Sequence, residues 1–309
     1  MVNSIKIYKN FNVNRTHRGS IILIGNFDGL HLGHQKLFKL AKNFKKKFAL
    51  KVGVLTFEPM PKMFFYKDLK NFRISNQKQK ISLLQRFDVD FVVIKKFDKK
   101  FSKTKSTSFI KNVLSSKLNA KFIFVSNNFR FGNKREGNLK QLIRYEHLYK
   151  YKIIKPKPLY KYKKIISSSL IRRLLQNGKL NQANKFLNRE WSIEGKVQKG
   201  RQLGKKIGFP TANIDIKDYI LAKPGVYAVK VKKQNDKKFI KGIANLGYRP
   251  TFNQKKILLE VHLFNFSGNL YNKYLTINFL KFIRKEKKFK NINQLKKQIR
   301  IDLLKAKKI

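Results

Sequence analysis

The chain has 309 residues, with 73 lysines and arginines against 16 aspartates and glutamates, and its formal net charge is +57. This length suits two domains, each large enough to bury a core of its own. Cysteine is absent, which excludes disulfides, thiolate metal sites and a cysteine nucleophile and fits a reducing cytoplasm. The amino-terminal residues lack the apolar core of a signal peptide, and no run approaches the roughly 20 apolar residues of a membrane span. We therefore expect a soluble, cytoplasmic protein.

The positive charge is spread over nearly every segment rather than gathered in one tail or stripe, as at Lys45 to Lys47 and at Lys307 and Lys308. We interpret most of it as compositional drift on solvated faces. Its expected effects are self-repulsion, high solubility and a generic attraction for polyphosphates and RNA. A basic RNA-associated protein is the alternative from a different class, because the aromatic and basic residues from Tyr149 to Tyr162 could support stacking and phosphate contacts.

The first predicted elements form strands around one helix. Strands are predicted at Ile5 to Tyr8 and Ser20 to Ile24, a helix at Gln35 to Phe48 and a further strand at Val52 to Phe57. A βαβ unit of this kind predicts a parallel sheet. The turn between its first strand and helix then lies at the carboxyl end of the strand, where ligands bind in open α/β sheets.

That turn reads IGNFDGLHLGH from Ile24 to His34. The backbone N–H groups and the positive end of the helix dipole at such a junction suit a phosphate. His31 and His34 are three residues apart, so they share one face if the segment enters a helix. Two imidazoles there can stabilise charge that grows on a phosphate. The alternative is an ordinary βα junction with a surface histidine pair.

More helices and strands follow in this half. They are predicted as a helix at Ser75 to Arg86, a strand at Phe91 to Ile94, a helix at Phe97 to Leu114, a strand at Phe122 to Val125 and an amphipathic helix within Ile165 to Leu175. The last helix begins with a serine cluster that supplies an N-cap and several hydroxyl donors, and Arg172 lies one turn inside it. A serine cap followed by a surface arginine is the simpler interpretation.

After a short helix at Leu180 to Leu187 the pattern changes to short strands separated by turns. They are predicted at Ser192 to Val197, Gly225 to Lys232, Phe239 to Ala244, Ile257 to Phe264 and Leu275 to Leu280. Strands without intervening helices imply an antiparallel sheet or barrel. A helix at Ile292 to Ala306, with one apolar face, closes the chain. We therefore predict two domains, residues 1–187 and residues 188–309.

Two motifs in the second half carry candidate chemistry. GFPTAN runs from Gly208 to Asn213, where glycines permit close approach of the backbone to phosphates. The Thr211 hydroxyl and the Asn213 carbonyl are hard oxygen ligands suited to Mg²⁺. A glycine and proline hairpin is the simpler alternative. Glu260 stands in an otherwise apolar strand of a chain poor in acidic residues, so solubility does not explain its presence.

Several motifs, in order, resemble those of one family. They are GNFDGLHLGH at residues 25–34, TFEP at residues 56–59, ISSSLIR at residues 166–172, GFPTAN at residues 208–213, GIANLGYRPTF at residues 242–252, LEVHL at residues 259–263 and FIR at residues 282–284. Together they are similar to the bacterial bifunctional riboflavin kinase/FAD synthetases, over nearly the whole chain. This resemblance implies a Rossmann-like nucleotidyltransferase domain with a parallel sheet, followed by an antiparallel β-barrel riboflavin kinase domain with a terminal helix.

The resemblance also implies the site residues and the small-molecule partners. The substrates and products would be riboflavin, FMN, FAD and ATP, with Mg²⁺ as cofactor. Glu260 would be the base for the ribityl 5′-hydroxyl, and His31 and His34 would stabilise the phosphates in adenylyl transfer. The other expected site residues are, for ATP in adenylyl transfer, Gly25, Asn26, Phe27, Asp28, Gly29, Gly33, Ser168, Ser169 and Arg172; for ATP in the kinase, Gly204, Gly208, Phe209, Pro210 and Thr211; for flavin, Asn128, Phe129 and Arg284; and for the metal, Thr211 and Asn213.

The sequence departs from the family pattern at two places. Ser126, Asn127 and Asn128 stand where the family often has glycine and acidic residues, and Asn265 replaces an aspartate. One alternative is therefore a riboflavin kinase whose adenylyltransferase half is degraded. Neither a membrane nor a specific nucleic-acid partner is expected, and the oligomeric state is left open.

Overall fold

The computed structural model describes residues 5–200, 202–234, 236, 238–250 and 255–309. They form two compact units. The first contains the described part of Met1–Lys70 together with Gln77–Ser167, and the second contains Asn71–Asn76 together with the described part of Ser168–Ile309. This division falls two helices before the predicted boundary at residues 187 and 188, which stays a prediction.

The first unit alternates strands and helices. Its strands are β1 (Lys6–Tyr8), β2 (Ile21–Ile24), β3 (Val52–Glu58), β4 (Phe91–Lys96), β5 (Phe122–Phe124), β6 (Arg130–Phe131), β7 (Gly137–Asn138), β8 (Lys152–Ile154), β9 (Tyr160–Lys161) and β10 (Lys164–Ile165). Its helices are α1 (Leu32–Phe48), α2 (Pro61–Phe65), α3 (Gln77–Gln85), α4 (Lys99–Ser102), α5 (Ser106–Ser108), α6 (Leu139–Arg144) and α7 (Glu146–Tyr149), with a π-helical segment at Phe109–Lys117 and 3₁₀ turns at Arg15–His17 and Asn133–Arg135.

Six strands of this unit form a parallel sheet in the order β1-β4-β3-β2-β5-β8. The chain runs from β2 through α1 to β3 on one side and returns later to β5 on the other side of β2. This reversal creates a switch point beside β2, at the edge where parallel sheets bind their ligands. The turn that follows β2 is therefore at the position where a ligand is expected.

Both faces of the sheet are buried, which explains the continuous apolar run of β2. Ile22 and Ile24 enter one core, which includes Phe109 and Leu114, whereas Ile21 and Leu23 enter the other core, beneath α1 and α3. Successive strand residues point to opposite faces, so a strand covered on both sides needs apolar residues at every position.

The second unit is built mainly of longer strands. Its helices are α8 (Ser168–Gln176), α9 (Leu180–Leu187), α10 (Leu203–Lys206) and α11 (Ile292–Lys307), and its strands are β11 (Ser192–Gln198), β12 (Ala212–Ile214), β13 (Gly225–Lys233), β14 (Ile240–Pro250), β15 (Lys255–Leu263) and β16 (Tyr274–Arg284). The strands close an antiparallel barrel in the order β11-β12-β15-β14-β13-β16. The predicted fold class is confirmed in both units.

The barrel has an inner core and a smaller apolar cluster on its outer wall. Alternate residues of β15, such as Leu259 and Val261, are buried inside the barrel. Outside it, Ala306 of α11 packs with Val226 and Ile243 of the wall. The terminal helix thus covers one side of the barrel.

Two predicted elements differ from the structure, one because of a local helix cap and the other because of a long-range hydrogen bond. The helix expected from Gln35 begins at Leu32, because His31 caps it by accepting a hydrogen bond from the backbone of His34. The single helix expected over residues 97–114 is instead α4, α5 and the π-helical segment. The break near Thr104 follows from long-range bonds, since Asn133 donates its N–H to the Thr104 carbonyl at 2.8 Å.

Within the residues described here, no helix is long and apolar enough to cross a membrane.

Two candidate active sites

The first site is the strained turn between β2 and α1. Gly25 donates its N–H to the carbonyl of Leu55 in β3 at 3.1 Å, which ties the start of the turn to the sheet. Phe27 and Leu30 then adopt positive φ angles of 46° and 37°, and Gly29 adopts 78°. Left-handed conformations of bulky residues cost energy and persist only where the surroundings impose them, often at functional sites.

The two histidines of this turn stack on each other. Their ring centroids lie 3.7 Å apart with 20° between the planes. The backbone N–H of His34 donates to Nδ1 of His31 at 3.4 Å, so the proton of a neutral His31 ring sits on Nε2. Gly33 makes room for the pair, because a Cβ there would lie 3.1 Å from the His31 ring and 3.2 Å from the Ile166 carbonyl.

His34 is held in its neutral form. Burial lowers its pKa well below the usual value of 6.5, and the neighbouring His31 and Lys80 lower the pKa further. At pH 7 the ring therefore offers hydrogen bonds rather than charge. Its Nδ1 atom is buried and has no hydrogen-bond partner within the described chain.

The other expected residues of this turn have different surroundings. Asn26 is exposed, whereas Asp28 is buried. Phe27 is also buried and packs edge-on against His34 and at a tilt against Phe38, with centroid distances of 5.2 Å and 5.1 Å. Phe27 thus packs directly against the His34 ring and restricts its position.

Ser168, Ser169 and Arg172 belong to the second unit, at the start of α8. The Arg172 guanidinium lies 3.7 Å from the centre of the Phe72 ring, and its Nε donates to the Phe72 carbonyl at 2.8 Å. Arg172 is therefore a buried, oriented side chain and not the surface arginine of the simpler interpretation.

The asparagine loop after β5 is anchored by its aromatic residues. Phe129 stacks on Phe131 at 5.5 Å, and Phe131 packs in turn on Phe109. Asn128 is exposed beside them. These contacts support an anchoring role for Phe129, and flavin binding by Asn128 and Phe129 stays a prediction.

The second site is a row of residues across five barrel strands. Glu260 of β15 pairs with Asn213 of β12 on one side and with Asn245 of β14 on the other. Asn245 pairs with Val226 of β13, which pairs with Arg284 of β16. Side chains of directly paired residues share one face of a sheet, so this register sets two amides beside the carboxylate.

A cavity of about 360 Å³ opens over this row. The barrel wall contributes Glu260, Asn245, Val226 and Ile243, and α11 contributes Leu295 and Ile299. Such pockets, apolar with a few convergent polar groups, are typical ligand sites.

The GFPTAN segment borders the same cavity through Phe209 and Thr211. The backbone of Gly204 packs closely against the GFPTAN segment. A Cβ at this position would lie 2.4 Å from the Phe209 carbonyl oxygen and 3.2 Å from Oγ1 of Thr211. The Nδ1 atom of His262 is 2.8 Å from the Pro210 carbonyl oxygen, which fixes the other side of the segment. The hairpin is thus clamped from two sides.

Arg284 forms an ion pair with a residue that sequence analysis missed. Its Nε lies 3.0 Å and 2.9 Å from the two carboxylate oxygens of Asp302, and its Nη2 lies 2.7 Å from Oδ2. Gln298 also donates to Asp302 at 3.0 Å. The sequence did contain a signal for this residue. Asp302 lies three residues after Ile299, so this carboxylate shares the apolar face of α11 that carries Leu295 and is expected to be buried with it.

Across the described chain, no group of three or more histidine, aspartate or glutamate side chains could hold a metal ion. The oxygen atoms of Thr211 and Asn213 remain the candidate donors.

The first unit carries a histidine turn at the switch point of a parallel sheet, and the second carries a carboxylate beside a cavity on an antiparallel barrel. This combination suits a two-domain nucleotide-dependent transferase. Family models agree with this class: the FAD synthetase model matches residues 13–170, and the riboflavin kinase model matches residues 187–309. The chain belongs to the family of bifunctional riboflavin kinase/FMN adenylyltransferases. Its activities are phosphorylation of riboflavin to FMN and adenylylation of FMN to FAD, with ATP as co-substrate.

Relatives of that description cover almost the full chain. The protein of Buchnera aphidicola subsp. Schizaphis graminum is 41% identical over 295 residues, which is 94% of each chain. The proteins of Haemophilus influenzae and Escherichia coli K12 are 38% and 35% identical, over 96% and 93% of this chain and 96% and 92% of their own. These matches favour the bifunctional enzyme over the kinase-only and RNA-binding alternatives.

One solved structure shares the whole fold. A crystal structure described as a macrolide-efflux protein from Streptococcus pneumoniae superposes with a TM-score of 0.85, at 28% identity and over 97% of each chain. The likeness supports the two-domain architecture found here.

Proposed function

We propose that the cavity around Glu260 phosphorylates riboflavin and that the histidine turn of the first unit transfers the adenylyl group to FMN. The single observation that carries the kinase assignment is the placement of Glu260 between two asparagines on the wall of a ligand-sized cavity. Adenylyl transfer is supported by the stacked histidines at the switch point of the sheet.

In the kinase step, the ribityl 5′-hydroxyl oxygen attacks the γ-phosphorus of ATP. The bond from that phosphorus to the bridging oxygen breaks, and ADP leaves with the electron pair. Glu260 accepts the hydroxyl proton. Val226, Ile243 and the α11 residues offer an apolar wall for the flavin ring, so positioning supplies much of the rate.

Thr211 and Asn213 would hold Mg²⁺ with the phosphates of ATP. The fit is supported by the donor set, a hydroxyl and an amide carbonyl, which are hard oxygen ligands. It is also supported by the clamp of Gly204 and His262 on the segment that carries Thr211. When bound, the ion would neutralise charge on the phosphate oxygens.

In the adenylyl step, a phosphate oxygen of FMN attacks the α-phosphorus of a second ATP. The bond to the β-phosphate oxygen breaks, and pyrophosphate leaves with the electron pair. Nε2–H of His31 is a donor for the phosphate oxygens, and the turn adds its backbone N–H groups and helix dipole. Asn26 of the same turn is proposed to bind the nucleotide. Ser168, Ser169 and Arg172 of the second unit are proposed as nucleotide-binding residues from the family resemblance alone.

The remaining proposals concern context. We propose residues 1–187 and 188–309 as the functional domains, because the first family model ends at residue 170 and the second begins at residue 187. A cytoplasmic location is supported by the cysteine-free composition and by the use of ATP.

Two variants test these assignments in one assay. Glu260→Gln keeps the shape of the side chain and removes the base, so riboflavin phosphorylation should fall by about 10²- to 10⁴-fold. FMN adenylylation by the same preparation should be unchanged. His31→Ala with His34→Ala should do the reverse. Wild-type phosphorylation by Glu260→Gln would refute the kinase site, and wild-type adenylylation by the double variant would refute the histidine site.

A further inference from the structure

The asparagine loop after β5 continues into the hairpin of β6 and β7, which is held against the start of α5. In the turn of this hairpin, Asn133 donates its N–H to the Thr104 carbonyl at 2.8 Å. Oε1 of Glu136 accepts the N–H of Ser106, the first residue of α5, at 2.6 Å. The hairpin is thus tied to one short segment of the first unit, through its backbone and through one carboxylate.

The Glu136 carboxylate serves as a helix cap from a distant part of the chain. The first N–H groups of a helix have no acceptor within it, and a serine, threonine, asparagine or aspartate just before the helix usually supplies one. In α5 that position is Lys105, whose ammonium group has no acceptor atom. Glu136 supplies the acceptor from 30 residues away, and its charge strengthens the bond.

The turn of the hairpin is fitted closely to Ser106. A Cβ at Gly132 would lie 2.8 Å from the Ser106 nitrogen, and a Cβ at Gly137 would lie 2.8 Å from the Ser106 Cβ. Between these glycines, Lys134 and Arg135 adopt positive φ angles of 49° and 63°. Such angles cost energy for residues with long side chains and persist where the surroundings impose them. The contact with α5 therefore fixes both the position and the shape of the turn.

Further contacts lead from this turn to the residues predicted to bind flavin. Gly137 pairs with Phe131 across the hairpin, and Phe131 stacks on Phe129 with 5.5 Å between the ring centroids. Two residue pairs join β6 to β7, and so short a ribbon is not stable by itself. Asn128 and Phe129 follow β5, which pairs with β2, so they lie at the sheet edge that carries the histidine turn. Their placement at this edge therefore depends on the contact with α5.

We propose that Glu136 is a positioning residue of FMN adenylylation. Its carboxylate holds the hairpin on α5, and the hairpin holds Asn128 and Phe129 where the flavin ring of FMN binds. Glu136 neither gives nor takes a proton, so the bonds made and broken are those of the adenylyl step. The inference rests on the predicted binding of flavin by Asn128 and Phe129.

The test compares Glu136→Leu with Glu136→Gln. Leucine removes the acceptor, whereas glutamine keeps a carbonyl oxygen at the same reach and loses only the charge. In Glu136→Leu we expect the KM for FMN to rise about tenfold or more, because misplaced binding groups lose much of their effect. The KM for ATP in the same reaction should stay within twofold of the parent. Glu136→Gln should stay within threefold of the parent for both substrates. Riboflavin phosphorylation should be unchanged in both variants, because no residue proposed for that step is altered.

Four results would overturn the role of Glu136. A lower kcat with both KM values unchanged would show a merely structural role, because partial unfolding reduces the amount of active protein and not its affinity. Equal changes in Glu136→Leu and Glu136→Gln would show that the charge acts and not the cap. A parental KM for FMN in Glu136→Leu, with a raised KM in Asn128→Ala with Phe129→Ala, would reject Glu136 alone. Parental values in all of these variants would show that the loop does not bind flavin. Wild-type adenylylation by His31→Ala with His34→Ala would instead reject the proposed site as a whole.

Discussion

Replacing Asp302 with asparagine removes one side of the ion pair that joins α11 to the end of β16. Asp302 is 2% exposed and its Arg284 partner is 22% exposed, with three nitrogen to oxygen distances between 2.7 Å and 3.0 Å. Breaking a buried pair costs about 3–5 kcal/mol. Because Arg284 reaches water and can be partly rehydrated, we expect about 2–3 kcal/mol of lost unfolding free energy.

The loss should also weaken the flavin pocket. Leu295 and Ile299 reach the cavity from α11, and Arg284 lines it from β16. We expect the KM for riboflavin to rise about tenfold, which corresponds to roughly 1.4 kcal/mol of binding energy. FMN adenylylation should not change, since neither Asp302 nor Arg284 is among the residues proposed for that step.

The sequence provides a suitable probe. Trp191 is the single tryptophan of the chain, and it is buried in the second unit, where its Nε1 donates to the Ile74 carbonyl at 2.9 Å. Its fluorescence during urea titration therefore reports unfolding of the unit that contains Asp302.

The matched control is Asp236→Asn, which removes an exposed aspartate 3.6 Å from Lys233. A surface pair contributes little, so its free energy of unfolding should stay within about 0.5 kcal/mol of the parent. An Asp302→Asn protein with the parental urea midpoint and the parental KM for riboflavin would refute this account of the ion pair.

Three further predictions concern single histidines and a glycine. The pKa of His34 is lowered in the folded chain, so the contribution of this ring to the free energy of unfolding is present above the unfolded value of 6.5 and is lost as the pH falls below it. Urea midpoints measured by circular dichroism should therefore drop between pH 7.5 and 5.5, and should drop less in His34→Gln. Gly33→Ala places a Cβ 3.1 Å from the His31 ring and should lower FMN adenylylation by about tenfold or more, with riboflavin phosphorylation intact in the same product assay. His262→Ala removes the contact to the Pro210 carbonyl and should raise the KM for ATP in the kinase reaction about three- to tenfold, as expected for the loss of one neutral hydrogen bond. An unchanged KM would show that the GFPTAN segment keeps its conformation without this contact.

Much of the fold follows from local patterns. β2 was predictable because four apolar residues end at Gly25, and a strand buried on both faces leaves this signature. The terminal helix was predictable from its apolar spacing, and α11 is found at Ile292–Lys307. Local signals of this kind are independent of the rest of the chain.

Other features depend on partners far away in sequence. Asn245 joins the row of Glu260 only through the register of two strands, and Asp302 meets Arg284 only after α11 packs on the barrel. The chemistry-bearing motifs were visible in the sequence, whereas the residues that orient them appear once the chain is folded.

The central claim, that two separate sets of residues carry the two steps, is tested most directly by mixing variants. Glu260→Gln should make almost no FMN from riboflavin, and His31→Ala with His34→Ala should accumulate FMN without FAD. With riboflavin, ATP and Mg²⁺, the mixture should form FAD, because FMN released by one protein is adenylylated by the other. A mixture that forms no FAD, or either variant forming FAD alone at the parental rate, would contradict the account.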